Sequence, residues 1–345
     1  MTTIAVTGAS GHIGANLVRA LVSQHFQVRC LVHRTTSALD GLPVEYFPGD
    51  VLNVDSLKPL MNGAEFVFHL AAQISIVGDP DGTVHQTNVQ GPQNVAEAAQ
   101  IANVRRLVHF SSIHAFRQTP LHIPIDEERE HADTEDCPKY DASKAAGERE
   151  ILAAVGRGLD ATIVNPTGVI GPFDFSPSRM GQVFMDIHNT KLPSSIDGGF
   201  DWVDVRDVVQ SAISAMTRGQ RGKKYILSGQ WVSMPELVRI AADIAGVKAP
   251  WFVCPMWLAR LSAPFAETFA KLTRSEPLFT REALVALRAN RNMKHDRAGR
   301  ELGHSPRPFR DSINDIYQWF WDTGKLTRRV DNSIPASSKS EGNNS

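Results

Sequence analysis

The chain has 345 residues, 42% hydrophobic and 21% charged, with a formal net charge of −1. That is material for one large globular domain or two ordinary ones, and the near-neutral balance offers no basic surface for nucleic acid. Three widely spaced cysteines (Cys30, Cys137, Cys254) match no zinc pattern, so no metal site is expected, and they suit a reducing compartment better than a disulfide framework.

The opening "MTTIAVTG" runs straight into a strand, without a basic region or a long apolar segment. A cytoplasmic location and no integral membrane segment are the expectations. Through the first half, apolar runs at 4–6, 28–32, 44–47, 66–70, 107–110 and 162–164 read as strands. Between them 13–23, 54–61, 84–101 and 140–155 read as helices. This alternation predicts an α/β fold, a Rossmann-type doubly wound parallel sheet whose ligands sit beyond the carboxyl ends of the strands.

After residue 171 the pattern loosens. A Pro/Gly/Ser-rich loop, "GPFDFSPSRMG", leads into a helix over 180–190, and residues 205–217 with a strand-like 224–227 return to the main sheet. Mostly helical stretches follow at 234–245, 255–272, 280–288 and 311–322. The predicted division is a nucleotide-binding domain of 1–172 plus about 201–228, a smaller, mostly helical, discontinuous substrate domain of 173–200 plus 229–330, and a disordered polar tail, 331–345.

"TGASGHIGANL" places Gly8, Gly11 and Gly14 directly after the first strand and at the start of a helix. The early glycines allow a tight turn and close approach to a pyrophosphate, the last lets helix and strand pack closely, and the helix N-terminus offers free amides. Ser10 and His12 within the loop are candidate phosphate contacts. A carboxylate at the end of the second strand would hold an adenosine ribose. This chain has His33 and Arg34 there, in "CLVHRTTS". A guanidinium pairs with a 2′-phosphate that a carboxylate would repel, so NADP is expected, with NAD as the alternative. Asp50, after the third strand, suits the adenine amino group or a helix cap.

"YDASK" sets Tyr140 and Lys144 on one helical face. Tyrosine is a poor base at neutral pH, and a neighbouring ammonium together with a positive nicotinamide ring would favour the phenolate, a shift of about three units corresponding to roughly 4 kcal/mol. "LVHFSSIHAF" ends the fifth strand on Ser111 and Ser112, where a hydroxyl can bond a substrate carbonyl. Asn88, on the preceding helix, is a candidate for orienting a proton-relay water or Lys144.

"TGASGHIG", "GDVLN", "FHLAA", "NVQGPQNV", "FSS", "YDASK" and "NPTGVIGP", in this order, resemble the extended short-chain dehydrogenase/reductase superfamily (the NAD-dependent epimerase/dehydratase family), strongly over about 3–175 and loosely to about 325. The resemblance implies a nicotinamide cofactor and a Ser112–Tyr140–Lys144 site. It extends the cofactor-binding positions to Ile13, Val51, Leu70, Ala71, Ala72, Pro166 and Val169, beside Tyr140 and Lys144 themselves. In this fold the helices over 84–101 and 140–155 often form a four-helix interface, which makes a homodimer an open expectation.

Within the superfamily, dehydratases usually follow the catalytic hydroxyl with an Asp-Glu pair, whereas Ile113 and His114 stand here. Epimerases generally keep NAD and an acidic second-strand end. "NPTGVIGP" is most similar to dihydroflavonol-reductase-like carbonyl reductases and the related 3β-hydroxysteroid dehydrogenases. The leading expectation is an NADP(H)-dependent oxidoreductase acting on a carbonyl or secondary alcohol of an apolar or aromatic small molecule. A sugar-nucleotide epimerase and a non-catalytic nucleotide-sensing protein are the alternatives. Trp257, Leu261, Phe265, Phe269 and Leu272 recur at near-helical spacing, as packing of the second domain, a substrate wall or a membrane contact. His114, Met180 and Phe184 are further residues within reach of a substrate.

Overall fold

A computed structural model describes residues 1–33, 35–76, 78–133, 137–263 and 280–328. The strands in chain order are β1 (Thr3–Thr7), β2 (Gln27–Val32), β3 (Glu45–Pro48), β4 (Phe66–His69), β5 (Arg106–Phe110), β6 (Ala161–Pro166), β7 (Gly168–Ile170), β8 (Ser195–Ile196), β9 (Gly199–Asp204), β10 (Lys224–Leu227), β11 (Gln230–Ser233) and β12 (Val253–Cys254). Seven of them form one sheet in the order β10-β6-β5-β4-β1-β2-β3. Every neighbouring pair in it is parallel. The order reverses direction between β1 and β4, the place where doubly wound sheets open a ligand crevice.

The central strands β4, β5 and β6 are buried on both faces, as a parallel sheet covered by helices requires. One face packs α1 (His12–Ser23) and a later helix, α7 (Val205–Arg218), through Leu17, Val18, Leu21, Val208 and Ala212. The other packs α2 (Val54–Met61), α4 (Gly91–Ile101) and α5 (Lys139–Gly156) through Leu57, Leu60, Val95, Ala99 and Ile151. The helix expected over 84–101 is interrupted. A short α3 (Thr83–His85) passes through a π turn, Gln86–Gln90, before α4 begins. Such a turn widens the helix and re-aims one residue, here Asn88.

The later chain builds a second layer. β11, β9 and β7 make a three-stranded sheet against α6 (Arg179–His188), α8 (Met234–Ala245) and the helix Phe309–Asp322. Helix α7 (Val205–Arg218) carries the chain back to the large sheet. Arg307 clamps Asp207 at 2.7 Å, and Arg206 bonds both Asp204 and Asp315 at 2.7 Å. These pairs fasten the C-terminal helix to the start of α7. The small sheet and the helix Asp296–Leu302 are absent from the sequence expectation, because runs such as "GFDWVD" are too short and mixed to read as strands.

Of the predicted helix 255–272, residues 256–263 are helical and the rest lie outside the described residues. Trp257 and Leu261 are 67% and 63% exposed, so neither packs a core. Phe265, Phe269, Leu272, Arg34 and the tail 331–345 also lie outside the described residues. No described helix is long and apolar enough to cross a membrane. None of the three cysteines is in a disulfide.

Candidate active site

The carboxyl ends of the strands gather nearly every predicted residue on one edge. Gly8 follows β1 with φ +69, a left-handed conformation that side chains disfavour. A Cβ there would stand 2.6 Å from Ala71 N and 2.7 Å from the Leu70 carbonyl carbon. One on Gly14 would run into Gly8 O and Ala9 Cα. The two glycines therefore let the loop, the end of β4 and the first turn of α1 approach backbone to backbone.

Side chains cap four of the helices, Asn53 for α2, Ser178 for α6, Asp204 for α7 and Ser233 for α8, whereas α4, α5 and the helix Phe309–Asp322 start without one. Helix α1 begins at Gly11 with no side-chain cap and no acidic residue in its first turn. Its first amides and positive dipole end are left for an anion. Ser10 lies half-buried in this loop, and Ile13 in the helix's first turn. His12 turns away, its Nε2 3.0 Å from the Pro172 carbonyl, with Asn16 donating to the same oxygen at 3.0 Å. It ties the glycine loop to the loop after β7.

His33 and Asp50 end β2 and β3 side by side, with Nε2 and Oδ2 3.5 Å apart and both side chains well exposed. Asp50 also accepts from Leu52 N at 2.9 Å, so one carboxylate oxygen shapes its own turn. Val51 is buried and its carbonyl accepts from Asn94 at 2.9 Å. Leu70 and Ala71 follow β4, where Leu70 N bonds Thr7 O and Ala71 N donates to Thr7 Oγ1. Ala72 is exposed beside them. Pro166 ends β6 and Val169 pairs with Val203 in β7–β9.

Ser112 leaves β5 in an extended conformation, and its Oγ accepts from His114 N at 3.2 Å. Tyr140 and Lys144 are one turn apart at the start of α5. Burial pushes the Tyr140 hydroxyl up to about 12, against a hydrogen bond from Ser112 that pulls it down, while Asp141 adds to the rise. Lys144 is buried, donates to Phe110 O at 3.0 Å, and is pushed down to about 8 by desolvation against the opposing attraction of Glu148. The expected depression of the tyrosine by Lys144 is thus absent here. The ammonium turns to the strand, and burial keeps the phenol neutral.

Asn88 hydrogen-bonds neither Lys144 nor Tyr140. Its Oδ1 accepts from Gln73 N at 2.8 Å, and its Nδ2 donates to Gln73 O and Ser143 Oγ, each at 2.9 Å. Ser143 in turn donates to Tyr140 O at 2.7 Å. Asn88 therefore braces the first turn of α5 against the loop after β4.

Glu148, Asn165 and Asp141 escaped the sequence reading. Glu148, fully buried one turn beyond Lys144, holds Asn165 and, at 2.8 Å, His131, with Lys224 3.9 Å away. Asn165 also donates to Ser112 O at 3.0 Å. His114 Nδ1 lies 3.2 Å from Asp141 Oδ1. The available signals were positional: Glu148 stands four residues after Lys144 and Asp141 directly after Tyr140. Beneath the site His69 and His109 are paired across β4–β5 with ring centroids 5.2 Å apart, both fully interior. Only His69 Nδ1 has a partner, Thr7 Oγ1 at 2.7 Å. Met180 and Phe184 lie on α6, where Phe184 is buried in the second layer's core.

Comparison with known proteins agrees with this geometry. The model of the NAD dependent epimerase/dehydratase family matches residues 4–228. Sterol demethylase protein B of Methylococcus capsulatus is 33% identical over 332 residues, covering 94% of this chain and all of that protein. The 4-hydroxy-2-methyl-3-oxo-4-farnesyl-3,4-dihydroquinoline-1-oxide ketoreductase of Stigmatella aurantiaca is 30% identical over 317 residues, covering 88% of this chain and 91% of that one. The crystal structure of gox2253 superimposes with a TM-score of 0.81 at 33% identity, over 94% of this chain and 99% of that chain.

Proposed function

The chain belongs to the NAD-dependent epimerase/dehydratase family, and on that premise we propose that it is an NADP(H)-dependent oxidoreductase reducing a ketone or aldehyde, or oxidising the matching alcohol. The observation that carries the reading is the grouping of Ser112, at the end of β5, with Tyr140 and, one helical turn on, Lys144, on the same sheet edge as the glycine cradle. The uncapped start of α1 and the room kept by Gly8 and Gly14 fit a pyrophosphate, so Gly8, Ser10, Gly11, Ile13 and Gly14 would hold the dinucleotide. Lys144 has two N–H donors beyond the one given to Phe110 O, enough for ribose hydroxyls. The nicotinamide, when bound, supplies or accepts the hydride.

The residues do the rest. Tyr140 is held neutral, so in the reducing direction it donates its proton to the carbonyl oxygen, and Ser112 hydrogen-bonds the same oxygen as charge develops there. Asn88 and Ser143 fix the height of the tyrosine. The chain's division into a nucleotide-binding and a substrate domain at the boundaries given above belongs to the same proposal. An apolar, ring-bearing substrate is favoured by relatives named for a sterol and a farnesylated quinoline. NADPH binding more tightly than NADH, with Arg34→Glu reversing the preference, is the expected outcome of fluorescence titration. Equal affinities, or a preference untouched by Arg34→Glu, would show the cofactor assignment wrong.

A further inference from the structure

His114 is tied to the reacting residues at three points. Its main-chain N–H donates to Ser112 Oγ at 3.2 Å. Its ring meets the Tyr140 ring edge-on, centroids 5.9 Å apart. Its Nδ1 lies 3.2 Å from Oδ1 of Asp141, a carboxylate that is itself buried. A carboxylate facing Nδ1 keeps the proton on that nitrogen and favours the doubly protonated ring. Nδ1 is fully buried and meets Asp141 as an ion pair without an aligned hydrogen bond, so the 22% of the side chain that remains exposed falls on the rest of the ring. Nε2 has no hydrogen-bond partner among the described residues, and in the charged ring it is a donor.

We propose that His114, held by Asp141, is a specificity-determining residue that donates a hydrogen bond from Nε2 to a second oxygen of the substrate, on the carbon next to the carbonyl. The preferred substrates are then α-oxygenated ketones, such as α-hydroxyketones, rather than plain ones. The donor belongs to a ring packed against Tyr140 and fixed through its main chain to Ser112, on the same edge as the oxygen those hydroxyls polarise. A site built to bond such an oxygen loses a charged hydrogen bond when the substrate lacks it. The inference rests on the carbonyl-reductase reading and adds the substrate class.

The groups around the imidazole set its charge. Burial opposes protonation, but the Asp141 carboxylate more than offsets it, and the ring stands above its ordinary value. Asp141 and Tyr140, both from α5, are the titratable groups facing it. Lys144 on the same helix turns to Phe110 O, and His131, across the bridge to Phe116, is engaged by Glu148.

The test uses the full chain with NADPH and a matched pair, 2-hydroxyacetophenone and acetophenone. The wild-type protein is expected to favour the hydroxyketone, and His114→Phe to cut the ratio of the two kcat/KM values about tenfold. The ratio should fall as pH rises through the imidazole's titration, and Asp141→Asn should move that fall to lower pH. His114→Gln keeps a neutral donor. It should restore part of the ratio and abolish its pH dependence, which decides the matter even if the phenylalanine variant does not fold. Reduction of both ketones without preference, or a pH dependence surviving in His114→Gln, overturns the inference alone. Reduction of neither overturns it together with the carbonyl-reductase reading.

Discussion

Asn165 Nδ2 donates to the Ser112 carbonyl oxygen at 3.0 Å, binding the end of β6 to the turn that carries the Ser112 hydroxyl. The same amide is held by Glu148, so the serine backbone is braced from a helix and a strand at once. Asn165→Ala should therefore lower kcat/KM about ten- to a hundredfold through misplacement of Ser112, with NADPH affinity barely changed. Steady-state kinetics beside cofactor titration checks this. A loss of cofactor affinity in proportion would place the damage elsewhere.

Glu148 is a fully buried carboxylate whose partners are His131, Asn165 and Lys224. Glu148→Leu would leave those groups in the interior without it. The expected cost is about 3–5 kcal/mol of stability, the usual range for removing one side of a buried pair. Urea unfolding at neutral pH would measure it, and a midpoint equal to wild type would contradict the network.

Tyr140→Phe should reduce turnover at least a thousandfold while leaving the melting temperature within a few degrees, since only a hydroxyl is lost. Turnover at the wild-type level would end its assignment as proton donor.

Lys144 supplies a pH signature. Its value of about 8 means that the ammonium is charged below that pH and neutral above it. NADPH affinity should accordingly weaken as pH rises past about 8, with a limb that Lys144→Met removes. Fluorescence titration between pH 6 and 10 covers the window, and a flat wild-type profile would speak against the ribose role.

The paired histidines under the site make the fold sensitive to acid. Burial, reinforced by the charge of Lys144, pushes His69 down to about 3, and His109 well below its ordinary value. An unfolded chain takes up these protons near pH 6.5, whereas the folded one refuses them until far lower, so stability is full above that value and lost as pH falls. For His69 alone the loss between pH 7 and pH 5 is about 2 kcal/mol. His69→Gln should flatten this part of the urea-midpoint profile.

Much of the fold and the site was legible because the chemistry and the backbone demanded local patterns. A glycine at positive φ, two more at a helix start, and Tyr140 with Lys144 on one face are short-range features, and the structure brings them to one edge. The small sheet was not legible, since β7, β9 and β11 are three to six residues long and their pairing comes from distant segments. Asn165 and Glu148 stayed hidden for the same reason: their meaning lies in bonds to β5, to the loop at His131 and to each other, which no spacing announces. The direction of the Lys144 ammonium was not legible either, because a sequence shows the neighbouring cation but not which way it turns.

The π turn has one further consequence, for anyone wishing to alter what the enzyme accepts. It presses the Asn88 carbonyl against Gly147 of α5, where any Cβ would collide with it. The spacing of α5, and with it the height of Tyr140, is gauged by main chain rather than by replaceable side chains. Mutational libraries aimed at new substrates will find little tolerance along that seam. The productive ground is His114, whose contacts to the first turn of α5 are made by its side chain.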